Sequence, residues 1–83
     1  MTRGNMDKKY SDMTIHQKLE LVIKEMVEKE VRFKDAQGEF EKIFIETAAK
    51  KYGGNKSRVA KEIGVHRNTL HSRAKALKIK SLI

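Results

Sequence analysis

AKEIGVHRNT (residues 60–69) closes one helix and opens another within two residues. Ala60 and Ile63 are spaced for one buried helical face. Gly64 then supplies a left-handed turn conformation that carries no Cβ penalty. His66, Arg67, Asn68 and Thr69 open the next helix with polar and basic side chains. Upstream, Asn55 caps a short helix of about 56–63 that buries Val59, Ala60 and Ile63. Downstream, a helix starting at His66 or Arg67 runs to about Leu77. Leu70, Ala74 and Leu77 form its inner face, and Val65 and Ile79 plug its ends. Two short helices across a glycine turn predict a helix-turn-helix at about 55–78.

The periods before residue 55 are also helical. Thr14 and Gln17 form a capping-box pattern. Ile15, Leu19, Val22, Ile23, Met26 and Val27 then make one wide apolar stripe, predicting a first helix of about 15–31. Lys18, Glu20, Lys24, Glu25 and Glu28 lie opposite it, and Glu20–Lys24 and Glu25–Lys29 have the favourable i,i+4 orientation. Arg32–Gly38 reads as a connector with Asp35 as candidate cap. A second helix covers about 36–51. Its stripe is Phe40, Ile43, Phe44, Thr47 and Ala48, widened by Ile45, Ala49 and Tyr52, and Gly53-Gly54 stops it. Residues 1–13 are polar and aperiodic, a disordered lead-in or linker, and 14–83 form one domain. No segment alternates apolar and polar residues as a strand does. The expectation is an all-α fold of four helices, two N-terminal helices followed by the helix-turn-helix.

An 83-residue chain without cysteine has no disulfide to staple a modest core. Dimerisation is the remaining way to bury more apolar surface. The stripes of the first two helices supply it, with Ile15, Leu19, Val22, Met26, Phe40 and Phe44 as a seam shared between core and dimer. No apolar run is long enough to span a bilayer, and MTRGNMDKKYSDM lacks the apolar core of a signal peptide, which makes the cytoplasm the expected compartment. The net charge is +8. Residues 1–52 hold 11 Lys/Arg against 10 Asp/Glu, whereas residues 53–83 hold eight against the single acid Glu62. A basic surface confined to the helix-turn-helix segment points to a polyanion.

In a DNA-binding unit of this shape the second helix enters the major groove. That directs His66, Arg67, Asn68 and Thr69, then His71, Ser72 and Arg73, toward DNA. An arginine can grip guanine with two hydrogen bonds, and a threonine methyl can touch that of thymine. Asn55, Lys56, Ser57 and Arg58, at the start of the preceding helix, suit phosphate oxygens. His66 is open between a helix cap and a DNA contact. His66 and His71 are five residues apart, too far round a helix to share a metal, so no metal or other cofactor is expected. Gly53-Gly54-Asn55-Lys56-Ser57 has neither the spacing nor the strand of a phosphate loop. Acids are nearly absent beside the histidines, so the chain is not read as an enzyme.

GGNKSRVAKEIGVHRNTLHSRAKALKI resembles the Fis-type helix-turn-helix. That unit closes many sigma-54-dependent activators of the nitrogen-regulator (NtrC) family and forms the core of the nucleoid protein Fis. The shared theme is Gly54-Asn55, Ser57-Arg58, Ala60, Gly64-Val65, Arg67 and Thr69-Leu70, and FEKIFIETAAKKYGGN is similar to the family's second dimer helix. The resemblance spans about 33–80. It departs at Ser72 and Ala74, where basic or larger apolar residues are common. It implies a homodimer whose two helix-turn-helix units read a palindrome in the major groove of double-stranded DNA. In an activator, such a module tethers an ATPase domain, N-terminal to this segment, to upstream enhancer sites. The alternative is a free-standing, nucleoid-associated protein that binds and bends DNA. A basic helical module for an acidic protein or a membrane surface fits less well, because two short helices joined by a turn lie poorly on a bilayer.

Overall fold

The computed structural model of the chain describes residues 9–82. These contain four α-helices, two short 3-10 turns and no strand. The helices are α1 (Ile15–Glu28), α2 (Phe33–Lys51), α3 (Lys56–Ile63) and α4 (Arg67–Ala76). The 3-10 turns are Tyr10–Asp12 and Lys80–Leu82. The fold is all-α, as the periodicity requires. The chain divides into two units between Arg32 and Phe33. Of the predicted lead-in, residues 1–8 lie outside the described residues.

In the first unit, α1 begins where the sequence places it. The Thr14 hydroxyl accepts the Gln17 backbone N–H at 3.1 Å, and the Gln17 side chain accepts the Thr14 N–H at 2.9 Å. Lys18 lies 4.8 Å above the Tyr10 ring, joining the 3-10 turn to the helix by a cation–π contact. Glu20 faces His16, whose Nε2 is 3.4 Å from its carboxylate. No residue of α1 is buried: Ile15 is 84% exposed, and Leu19, Val22, Ile23 and Val27 are exposed as well. The helix ends at Glu28, not at 31. Glu30 adopts a left-handed backbone (φ 60), and the Val31 N–H closes onto the Met26 carbonyl.

The second unit holds a core of Ile45, Ala48, Ala49, Val59, Ala60, Leu70, Ala74, Ile79 and Leu82, with Tyr52, Ile63 and Leu77 packed against it. α2 begins at Phe33 and absorbs the expected connector. Asp35 is therefore no cap but a first-turn acid, favourable to the helix dipole, and Gly38 lies inside the helix at a cost of about 1 kcal/mol. The buried face of α2 is narrower than the predicted apolar set and lies within it. Ile45, Ala48 and Ala49 pack inward, while Phe40, Ile43, Phe44 and Thr47 remain exposed. The short α3 and α4 approach closely enough that alanines, not phenylalanines, fit against them. Phe40 and Phe44 pack against each other with their rings tilted by 43° and the centroids 5.6 Å apart.

Val65 is exposed rather than a plug, whereas Ile79 is buried as expected and Leu82 joins it. The final 3-10 turn bends the chain back, with the Leu82 N–H donating to the Ile79 carbonyl at 3.1 Å. The four α-helices share one way of ending. A left-handed residue follows (Glu30, Gly53, Gly64 or Lys78), and the next N–H reaches back to the last turn. Those closing bonds are Val31 to Met26, Gly54 to Ala49, Val65 to Ala60 and Ile79 to Ala74, at 2.8–3.0 Å.

Candidate nucleic-acid interface

Asn55 caps α3 by accepting the Arg58 backbone N–H at 3.1 Å. Gly64 turns the chain with φ 78, and α4 starts three residues later. His66 occupies the cap of α4: its Nδ1 accepts the Asn68 N–H at 3.2 Å, which resolves the local role of that ring. Leu70 and Ala74 are buried and Leu77 half-buried, fixing which side of α4 faces the protein. The residues two positions earlier or later lie about 200° around the axis. Asn68, Ser72 and Lys75 therefore share the outward face, and all three are exposed.

Arg67 is exposed at the first position of α4, the end that leads into a groove. Thr69 is exposed on one flank, and His71 is half-buried on the other. His71 is held from across the turn, since the Lys56 ammonium donates to its Nδ1 at 3.1 Å. Arg58 stacks over Tyr52, its guanidinium carbon 5.2 Å from the ring centroid, and Lys51 lies 5.5 Å from the same ring. Ser57 is exposed in the first turn of α3, where backbone N–H groups have no partner within the helix. The arrangement thus gathers Asn55, Lys56, Ser57 and Arg58 at one end and Arg67, Asn68, Thr69 and Ser72 on α4.

Two features escape inspection of the sequence. Lys75 belongs to the outward face, and its spacing of 7 and 3 from Asn68 and Ser72 is the signal for it. Arg73 does not share that face. Its Nε and Nη2 donate to the two carboxylate oxygens of Glu41 on α2, both at 2.6 Å. Hydrogen bonds from Arg73 hold the Glu41 carboxyl below the usual glutamate range; burial pushes it up, and the Arg73 charge lowers it by less than either. The same bonds and charge raise Arg73. The pair stands beside a cavity of about 150 Å³ lined mainly by Phe40, Phe44, Ile45, Ile63, Val65 and Leu70.

The sequence model of the bacterial regulatory proteins of the Fis family matches residues 36–77, from the first half of α2 through the end of α4. The chain belongs to the Fis family. It carries that family's DNA-binding helix-turn-helix, and α1 lies outside the matched range. No curated protein and no solved structure matches the chain. No helix among the described residues is long and apolar enough to cross a membrane. Among the same residues, no three His, Cys, Asp or Glu side chains are grouped to hold a metal.

Proposed function

We propose that this Fis-family chain works in the cytoplasm as a homodimer that binds specific double-stranded DNA sites. The observation that carries this reading is the division of α4 into a buried face of Leu70 and Ala74 and an exposed face of Asn68, Ser72 and Lys75. Arg67, at the leading end, is the residue for guanine, and Thr69 lies beside it for a thymine methyl. Asn55, Lys56, Ser57 and Arg58 hold phosphates, and His66 and His71 flank the base-reading residues. Lys75 extends the set along α4.

Dimerisation is supported by apolar side chains left exposed within one chain: Ile15, Leu19 and Val22 on α1, Phe40 and Phe44 on α2. Met26 is half-buried on the same α1 stripe. A two-fold pair of helix-turn-helix units reads half-sites about 34 Å apart, one turn of duplex. The resemblance of residues 54–70 to the closing module of NtrC-family activators supports a further step. The dimer tethers a sigma-54-dependent activator, whose ATPase domain precedes this segment, to enhancer DNA.

Selection of bound duplexes from a random library, followed by anisotropy on the selected and scrambled sites, tests the reading. The expected result is a palindromic site bound at least about a hundredfold more tightly than its scramble at physiological salt. Equal affinity for both overturns sequence-specific binding. Sedimentation of the free chain tests the dimer, and a monomer at micromolar concentration overturns it.

A further inference from the structure

The fork between Arg73 and Glu41 reaches beyond DNA binding as such, although the inference rests on that reading. Residues 53–83 contain eight cations and one acid, Glu62. Arg73 takes its partner from outside this segment, from Glu41 on α2, 32 positions upstream. Both carboxylate oxygens are engaged, and both bonds are 2.6 Å long. Most exposed ion pairs contribute little, but a two-pronged arginine–carboxylate pair is the geometry in which both side chains are held in place. Arg73 sits on the flank of α4, one residue before the buried Ala74 and one after the outward Ser72. A released guanidinium on that flank has the length and flexibility to turn toward a phosphate bound at α4. The fork also ties α4 directly to α2.

We propose that Glu41 is a charge-masking and positioning residue of the DNA-binding surface. It holds Arg73 against α2, so that α4 offers DNA Asn68, Ser72 and Lys75 while Arg73 adds no phosphate contact. Phosphate contacts strengthen binding to every sequence alike, so each withheld arginine lowers affinity without altering which bases are read. The +7 segment is thereby less adhesive than its composition implies.

The test uses the full chain, a 30-base-pair duplex of mixed sequence, and anisotropy titrations between 50 and 200 mM salt. Glu41→Gln is expected to bind several-fold more tightly at the lowest salt. Its plot of log K against log salt should steepen by about 0.9 for each Arg73 that reaches a phosphate. Arg73→Gln alone should leave the wild-type slope unchanged, and Arg73→Gln added to Glu41→Gln should restore it. A merely structural Glu41 would lower thermal stability and leave the slope where it was. The Arg73 Nε–H resonance of the wild-type chain gives a reading that needs no variant to fold. An unmoved resonance on adding duplex supports masking. An Arg73→Gln slope shallower by about 0.9, a Glu41→Gln slope equal to wild type, or a duplex-induced shift of that resonance overturns it. Failure of the wild-type chain to bind duplex at 50 mM salt overturns DNA binding itself. Binding with an unaltered Glu41→Gln slope overturns the masking alone.

Discussion

α1 and α4 are both amphipathic helices, yet only one of them has its apolar side covered. α4 packs Leu70 and Ala74 to 1% and 0% exposure in its own chain, against α3 and the final turn. α1 has no fully buried residue: on its stripe Ile15, Leu19, Val22, Ile23 and Val27 are exposed and Met26 is half-buried. Apolar patterning therefore states that a helix has a partner face and does not state which molecule supplies it. Fully burying a Val, Leu or Ile contributes roughly 1.5–3 kcal/mol, so these five exposed side chains are a large driving force for association.

Leu70→Ala leaves a hole in a covered core and should cost about 3 kcal/mol of stability. Chemical denaturation should register that loss equally at low and high protein concentration. A loss below about 1 kcal/mol would mean that the second unit is not held by this core. Leu19→Glu on α1 should act differently. It places an unpaired charge in the proposed dimer seam and should weaken that dimer at least tenfold, or about 1.4 kcal/mol. Sedimentation equilibrium reads this, and the effect on melting should vanish on dilution. An unchanged dimer would remove α1 from the seam.

Arg67→Ala separates reading DNA from folding on the outward side of α4. It should cost about 1–3 kcal/mol of binding and relax the preference at one base pair, with the melting temperature hardly moved. A uniform loss over all sequences would make Arg67 a phosphate contact. The smallest effect belongs to the Glu41 carboxyl. Its folded value is depressed, so the stability it contributes is complete above the usual glutamate range and is lost as pH falls through the depressed value. Acid melting curves of wild type should fall toward those of Glu41→Gln over that interval. Parallel curves would mean that the fork does not persist in solution.

Much of this was legible in the sequence, for identifiable reasons. Thr14, Asn55 and His66 begin helices because their side chains accept backbone N–H groups two or three residues on, a local interaction that a single sequence displays. Gly53 and Gly64 mark ends just as locally. The end of α1 and the left-handed backbones of Glu30 and Lys78 were hidden, because neither residue type advertises that conformation, whereas the end of α4 near Leu77 was legible. The apolar set read for α2 contains its inner face of Ile45, Ala48 and Ala49 but is wider, because Phe40, Ile43 and Phe44 outweigh the alanines in apolarity. Close helix approach, which favours alanine, is a tertiary fact. The Arg73–Glu41 fork joins residues 32 apart, and nothing in either neighbourhood announces it.

The left-handed residues Glu30 and Lys78 have a consequence for protein engineering. At φ 60 and 58 an L-residue sits in the basin natural to its mirror image, at a cost of roughly 1 kcal/mol each. Glycine at either place removes that strain without touching a packed atom. The chain forgoes this reserve and carries an anion at one helix end and a cation at the other. Lys78 falls between Lys75 and Lys80, lengthening the cationic edge at the end of α4. Thermostabilising this domain therefore means choosing, at Lys78, between a more relaxed backbone and a positive charge.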